Sequence, residues 1–501
     1  MSVSLTYSVA FRGVDACPVE VQCALSPGLP GFSIVGLPDK AVSEAKERVR
    51  AALASMAIAF PAKKVTINLS PADLPKEGSH FDLPIALALL AALEIIPQDE
   101  ILGVVSLGEL SLDGKLVAVN GSLPAAMSAA SENHVLVCPA ACGKEAAWVS
   151  GARVIAPKTL GDIVRHFNGQ HPIEDATPGE VIAAETQLDL RDVKGQERAK
   201  RALEIAAAGR HHILMVGAPG SGKSMLAQRL PSILPPLSAR EALETSIIHS
   251  IAGLLNEGGI SRERPFRDPH HTSSMAAIIG GGRMAKPGEV SLAHNGVLFM
   301  DELPEFPRNV LETLRQPLET GDVMISRANA HVRYPCRFML VAAANPCKCG
   351  YMADPARACA RVPKCGEDYM GRISGPLMDR FDLRVEVPPV AYTDLELPAS
   401  GDTSADIAER VAQAHAVQNT RYAGQTGIFT NADASGAALE ETATPDTEGR
   451  DLLIRAAERF GLSARGYHRV MRVARTIADL DHSIDVKRPH IAEAISFRMS
   501  V

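Results

Sequence analysis

The stretch Val65-Thr66-Ile67-Asn68-Leu69 alternates apolar and polar positions, and a proline-containing loop then leads into a nearly unbroken apolar run over residues 83–93. Alternation is the period of a half-buried strand, and the run has the length of a buried helix, so an α/β module is predicted in the first third. Asp113-Gly114 separates two further apolar stretches, 107–112 and 115–119, as a hairpin turn does. Periodicity lapses over residues 168–186, where His171-Pro172 and Thr177-Pro178-Gly179 punctuate polar sequence. A linker is expected there. A second α/β region extends to about residue 389, and from Asp406 the pattern is helical and rich in Ala and Arg. The expected division is 1–168, a linker at 169–187, 188–390 and 391–501.

Three apolar strands in the second region end in chemistry. The run 212–216 enters Gly217-Ala218-Pro219-Gly220-Ser221-Gly222-Lys223-Ser224 and then helical sequence over 225–230, the strand, loop and helix order of a P-loop. Glycines let backbone N–H groups curl around phosphate oxygens, Lys223 is expected to reach the β/γ-phosphates, and the Ser224 hydroxyl to ligate Mg²⁺. The strand Val297-Leu298-Phe299-Met300 ends in Asp301 and Glu302, a Mg²⁺ ligand and a general base for water. The strand over 338–344 ends at Asn345, whose carboxamide is placed to orient that water. Arg380, in Ser374-Gly375-Pro376-Leu377-Met378-Asp379-Arg380-Phe381-Asp382, is either a finger delivered to a neighbouring subunit or half of an internal pair with Asp379 or Asp382.

At 501 residues the chain exceeds one hydrophobic core, and 46% apolar with 22% charged residues is ordinary globular usage. A net charge of −7 supplies no global positive field, so any nucleic acid must be met by a local basic surface. The first eleven residues carry no basic segment followed by an apolar one, and the run 83–93 is too short to span a bilayer, so a cytoplasmic protein without a membrane partner is expected. Aromatic residues make up 4%, which favours backbone contacts over base stacking if DNA is bound. Four of nine cysteines, Cys347, Cys349, Cys359 and Cys365, cluster in a way that suits either a closed tetrahedral Zn²⁺ site or a reduced, metal-free loop. The other five read as buried thiols. Adjacent His270 and His271 fit a structural or loop-positioning role better than joint ligation.

The segments Arg264-Pro-Phe-Arg-Asp-Pro-His-His-Thr272, Pro287-Gly-Glu-Val-Ser-Leu-Ala-His-Asn-Gly296, Asp301-Glu-Leu-Pro-Glu-Phe306 and Arg372-Ile-Ser-Gly-Pro376 resemble the YifB or ComM family of Mg-chelatase-like AAA+ ATPases over essentially the whole chain. The resemblance implies an α/β multidomain protein. It has an amino-terminal Lon-protease-like (ribosomal S5 domain 2-like) α+β domain, a central P-loop AAA+ domain with a parallel sheet, and a carboxy-terminal helical lid. It further implies a hexameric ring using ATP and Mg²⁺, and in the ComM branch a DNA helicase promoting branch migration during transformation. By similarity Lys223, Asp301 and Glu302 carry the Walker roles, Asn345 is sensor 1, Arg380 the finger and Arg465 the sensor 2 arginine, with Arg469 and Arg472 close by. Residues 250–288 resemble a helix 2 insertion, and residues 323–333 a hairpin before sensor 1. Arg327, His331 and Arg333 are then DNA-contact candidates, against a solvated hairpin with no ligand. The amino-terminal likeness rests on Lys76-Glu-Gly-Ser-His-Phe-Asp-Leu83 and Gly108-Glu-Leu-Ser-Leu-Asp-Gly114. There His80 occupies the nucleophile position and Leu123-Pro124 that of its Lys, so peptidase chemistry is not expected. The family's second Cys-x-Cys is broken, with Arg361 where the fourth cysteine would stand. A DNA-remodelling motor is the leading expectation, ahead of a chelatase-type protein-remodelling motor and an ATP-dependent peptidase.

Overall fold

The computed structural model describes residues 3–182, 188–255, 258–282, 285–327, 330–352, 360–390 and 401–498. The amino-terminal part is built on a seven-stranded mixed sheet. Strands β1 (Val3–Arg12) and β2 (Asp15–Ser26) form a long antiparallel hairpin, joined in the sheet by β3 (Gly31–Val35), β4 (Lys64–Ser70), β5 (Val104–Ser106), β6 (Val135–Val137) and β7 (Arg153–Ile155). Their order is β3-β4-β2-β1-β5-β6-β7. The predicted alternation in β4 places Val65, Ile67 and Leu69 in the core. The apolar run forms helix Asp82–Ala92, buried along its length because it packs against both the sheet and helix Lys40–Ser55. The Asp113-Gly114 turn does separate an antiparallel pair, though each strand is two residues long.

The expected linker is partly tied down. Val181–Ile182 pairs in parallel with Ile260–Ser261, Asp175 bridges to Ile155, and Trp148 Nε1 donates to the Gly258 carbonyl at 2.9 Å. Pairings this short leave no hydrophobic period in the sequence.

The second sheet contains β8 (Ile213–Val216), β9 (Phe266–Arg267), β10 (Val297–Met300), then, after a separate hairpin of β11 (Asp322–Arg327) and β12 (Ala330–Pro335), β13 (Met339–Ala344) and β14 (Leu383–Glu386). Its order is β9-β10-β13-β8-β14, all parallel. Parallel sheets are covered on both faces, and β8, β10 and β13 are accordingly buried at every position. Ile213, Met215, Phe299 and Val341 face one core, shared with helix Glu197–Gly209 and the carboxy-terminal helices. Leu214, Leu298, Met300 and Leu340 face a second, which includes Val323 and Ile325 of the hairpin. Because β9 is an edge strand of this sheet, residues 250–288 are not one continuous insertion. The helical tail begins at Ser404, capped by Thr403 and Asp406, and continues in Thr447–Phe460, Ala464–Leu480 and Arg488–Arg498. Among the described residues no helix is long and apolar enough to cross a membrane.

Candidate nucleotide site

Three buried strands deliver their carboxy-terminal ends to one place, where open parallel sheets bind ligands. β8 runs into Gly217, whose missing Cβ would lie 2.1 Å from the Val387 carbonyl oxygen. Only glycine fits. Gly222, at φ +95°, turns the loop into helix Lys223–Arg229, which starts two residues earlier than the periodicity predicted. Lys223 Nζ donates to the carbonyls of Gly217 (2.8 Å) and Ala218 (2.9 Å) and lies 3.3 Å from Asn345 Oδ1 at the end of β13. Burial lowers its pKa, while Asp301 and Glu302 pull the other way.

Ser224 Oγ donates to Asp301 Oδ2 at 2.7 Å, so the two expected Mg²⁺ ligands already face each other. Asp301 Oδ1 accepts the Glu302 N–H at 2.8 Å. Glu302 sits at φ +51°, a left-handed conformation costing about 1–2 kcal/mol in a residue with a Cβ. Its half-exposed carboxylate lies 3.5 Å from His271 Nδ1. The paired histidines thus lie beside the site, their rings tilted by 33° with centroids 4.2 Å apart.

Sequence reasoning missed three neighbours. Gln196 Nε2 donates to Ser221 O (3.2 Å) and Pro388 O (2.6 Å), pinning the loop from below. Asp268, its pKa raised by burial and then by Asp301, lies close to the acidic strand end, and His271 reaches Glu302. The last two fall inside the Arg264 to Thr272 block, so a signal for them existed; nothing local singles out Gln196.

Arg380 is buried and held within its own chain. Its Nε donates to Arg315 O (3.1 Å), Nη1 to Pro376 O (2.6 Å), and Nη2 pairs with Glu319 rather than with Asp379 or Asp382. Arg465, 71% exposed, stands 3.8 Å from the same Glu319. Arg469 is taken up by Asp382 and Arg472 by the Ala434 carbonyl, which leaves Arg465 the exposed member of that set.

In the β11–β12 hairpin, Val323, Ile325, Val332 and Tyr334 are buried while Met324, Ser326, His331 and Arg333 face solvent. His331 Nδ1 is 3.1 Å from Ser326 Oγ, and Arg333 pairs with Asp322. Arg327 is the last residue of β11, paired in register with Ala330; its side chain lies outside the described residues. Cys347, Cys349 and Cys365 bring their sulfurs within 4.8 Å of one another, and Cys359 lies outside the described residues. Of the five remaining thiols four are buried, but Cys17 is half-buried on the rim of a cavity of about 1250 Å³. That cavity lies between the amino-terminal part and hairpins of the second α/β part, lined among others by Arg12, Ser79, His80, Lys286 and Tyr334.

Comparison with known proteins agrees along the whole length. Profiles described as Magnesium chelatase, subunit ChlI, Subunit ChlI of Mg-chelatase, and Magnesium chelatase, subunit ChlI C-terminal match residues 189–395, 19–141 and 401–498. The chain is 43% identical over 511 residues to Competence protein ComM of Haemophilus influenzae, covering 100% of this chain and 98% of that one. It is 41% identical over 501 residues to YifB of Escherichia coli, covering 99% and 97%. The chain belongs to the YifB/ComM family of Mg-chelatase-like proteins. A more distant likeness, 26% over 230 residues, links it to the Magnesium-chelatase 38 kDa subunit of Rhodobacter capsulatus, covering 42% of this chain and 59% of that one. As a YifB/ComM-type AAA+ protein it is an ATPase, a class that works with ATP and Mg²⁺. Within this YifB/ComM chain Lys223, Ser224, Asp301, Glu302 and Asn345 meet in one place, whereas Arg380 and Arg465 meet each other at Glu319.

Proposed function

We propose that this chain is an ATP-driven DNA-remodelling motor, working as a hexameric ring that promotes branch migration. The single observation that carries the DNA reading is the hairpin before Asn345, which spends one face on the core and presents Ser326, His331 and Arg333 to solvent. A relative of full-length similarity named as a competence protein supports it. Six copies of a weak cationic edge around one strand would add by multivalency what each lacks alone. Residues 1–168, 188–390 and 391–501 are the working units, joined at 169–187.

In the proposed cycle, backbone N–H groups of Ala218, Gly220, Ser221 and Gly222, in the loop shaped by Gly217 and Pro219, and the Lys223 ammonium hold the phosphates. Ser224 and Asp301 hold Mg²⁺, Glu302 takes the proton of the attacking water and Asn345 orients it. Arg380 and Arg465 act on a neighbour's nucleotide; there Arg380 must exchange Glu319 for phosphate. The cysteine cluster fits zinc. Tetrahedral Zn–S bonds of about 2.3 Å set sulfurs about 3.8 Å apart, within the spread of the three thiols.

The test is the steady-state ATPase rate of wild type and Lys223→Ala, without DNA and with single strands, duplex and a four-way junction, at two salt concentrations. Salt-sensitive stimulation that is absent in Lys223→Ala and reduced in Arg333→Ala is expected. Indifference to every DNA would overturn the reading in favour of a chelatase-type, protein-remodelling motor.

A further inference from the structure

The cysteine cluster is built onto the nucleotide site. Cys347 follows Asn345 by two residues, and Asn345 Oδ1 lies 3.3 Å from Lys223 Nζ. Three residues beyond Cys347, Gly350 adopts φ +82°, and the position of its missing Cβ is 2.5 Å from both Cγ and Cδ of Pro219. The thiol loop therefore rests directly on the crest of the phosphate-binding loop. The third thiol comes from helix Lys364–Met370, which approaches from the other side. At Gly366, the missing Cβ position is 2.6 Å from Met352 Sδ and 3.0 Å from the Pro346 carbonyl oxygen. Two segments thus close around Pro346, the residue between Asn345 and Cys347.

We propose that a thiophilic divalent cation held by Cys347, Cys349 and Cys365 locks this assembly, so that metal and nucleotide raise each other's affinity. The inference rests on the zinc reading given above. The Cys347 and Cys349 sulfurs lie 3.1 Å apart. An ion joins all three sulfurs and fixes the 346–352 loop against the 364–370 helix. The loop then presents Pro219 and Asn345 already placed, and the ordering cost is met before nucleotide arrives. Coupling of this kind is reciprocal by thermodynamic necessity and falls at about 5–150-fold. Cys347, Cys349 and Cys365 are on this account positioning residues for ATP, acting through Gly350, Pro219 and Asn345.

The experiment measures zinc content of the full-length protein by elemental analysis. Zinc affinity is then measured by competition with a chromogenic chelator, with and without Mg²⁺ and a non-hydrolysable ATP analogue, in wild type and Lys223→Ala. One zinc per chain is expected, bound about tenfold more tightly when the analogue is present, with the difference gone in Lys223→Ala. Cys349→Ser should correspondingly bind a fluorescent ATP analogue about tenfold more weakly. Stoichiometric zinc whose affinity ignores the analogue overturns the coupling alone. Absence of stoichiometric zinc overturns the coupling and the zinc reading together, and full nucleotide affinity in a zinc-free Cys349→Ser chain overturns the coupling.

Discussion

The nucleotide loop and the Lys76–Asp82 segment with Glu109 each gather a lysine, a serine and carboxylates, yet they leave very different groups available. At the nucleotide loop, Lys223 is held by carbonyls of its own loop, Ser224 faces Asp301, and the two acids at the strand end remain partly or largely exposed. In the amino-terminal segment, Lys76 is fully buried with its ammonium donating to the Pro71 carbonyl, and Ser79 donates to Glu109. Asp82 accepts from Arg48 and from the Leu110 N–H. His80 points Nε2 at the Val9 carbonyl at 2.9 Å and is held down to about 4 by burial, so it stays neutral. Facing a carbonyl, Nε2 must carry the proton and donate. Polar groups satisfied inside a fold specify its shape; those kept partly open at the ends of buried strands remain available to a ligand.

That contrast can be broken most sharply at the nucleotide loop. Glu302→Gln is expected to bind ATP and lose turnover by about 10²–10⁴-fold, measured as steady-state phosphate release against fluorescent-nucleotide binding. Retained turnover would remove Glu302 from its role. In the amino-terminal segment the matching change acts on stability instead. Arg48→Met leaves the Asp82 carboxylate buried without its partner and should cost about 3–5 kcal/mol in chemical denaturation, with ATP affinity of the folded protein unchanged.

A smaller effect is expected with pH. Burial depresses His80 to about 4, so the unfolded chain binds this proton first and the folded state loses stability as pH falls below about 6.5. Each such histidine contributes about 1.4 kcal/mol per pH unit down to about pH 4. His212 and His415, likewise pushed by burial to about 4, add to the slope, and His80→Gln should flatten it by one histidine's share. An unchanged slope would mean that His80 is charged in the folded protein. The smallest effect belongs to Ser79→Ala, which should alter stability by about 1 kcal/mol and leave ATPase activity intact. Casein cleavage by wild type that disappears in this variant would restore the peptidase reading.

Much of the nucleotide site was legible because its parts are local: a glycine loop directly after one apolar run, two acids after another, an asparagine after a third. The order of these runs carries the order of buried parallel strands. Arg380 was less legible, since both Asp379 and Asp382 are its neighbours in sequence while its carboxylate, Glu319, is brought from a distant turn. The ties of the expected linker were not legible, because Val181–Ile182 draws its partner from residues 260–261.

By itself, then, the sequence determined the class of fold, the family and the local pattern of the candidate nucleotide loop, because these depend on hydrophobic period and on residues a few positions apart. Only the tertiary structure decided which polar groups are consumed and which stay available. It alone seated Gly350 on Pro219, set Gln196 beneath the loop, placed His271 beside Glu302 and committed Lys76 to a carbonyl. Hydrogen bonding and desolvation are settled by neighbours in space, and no local pattern along the chain encodes who those neighbours are.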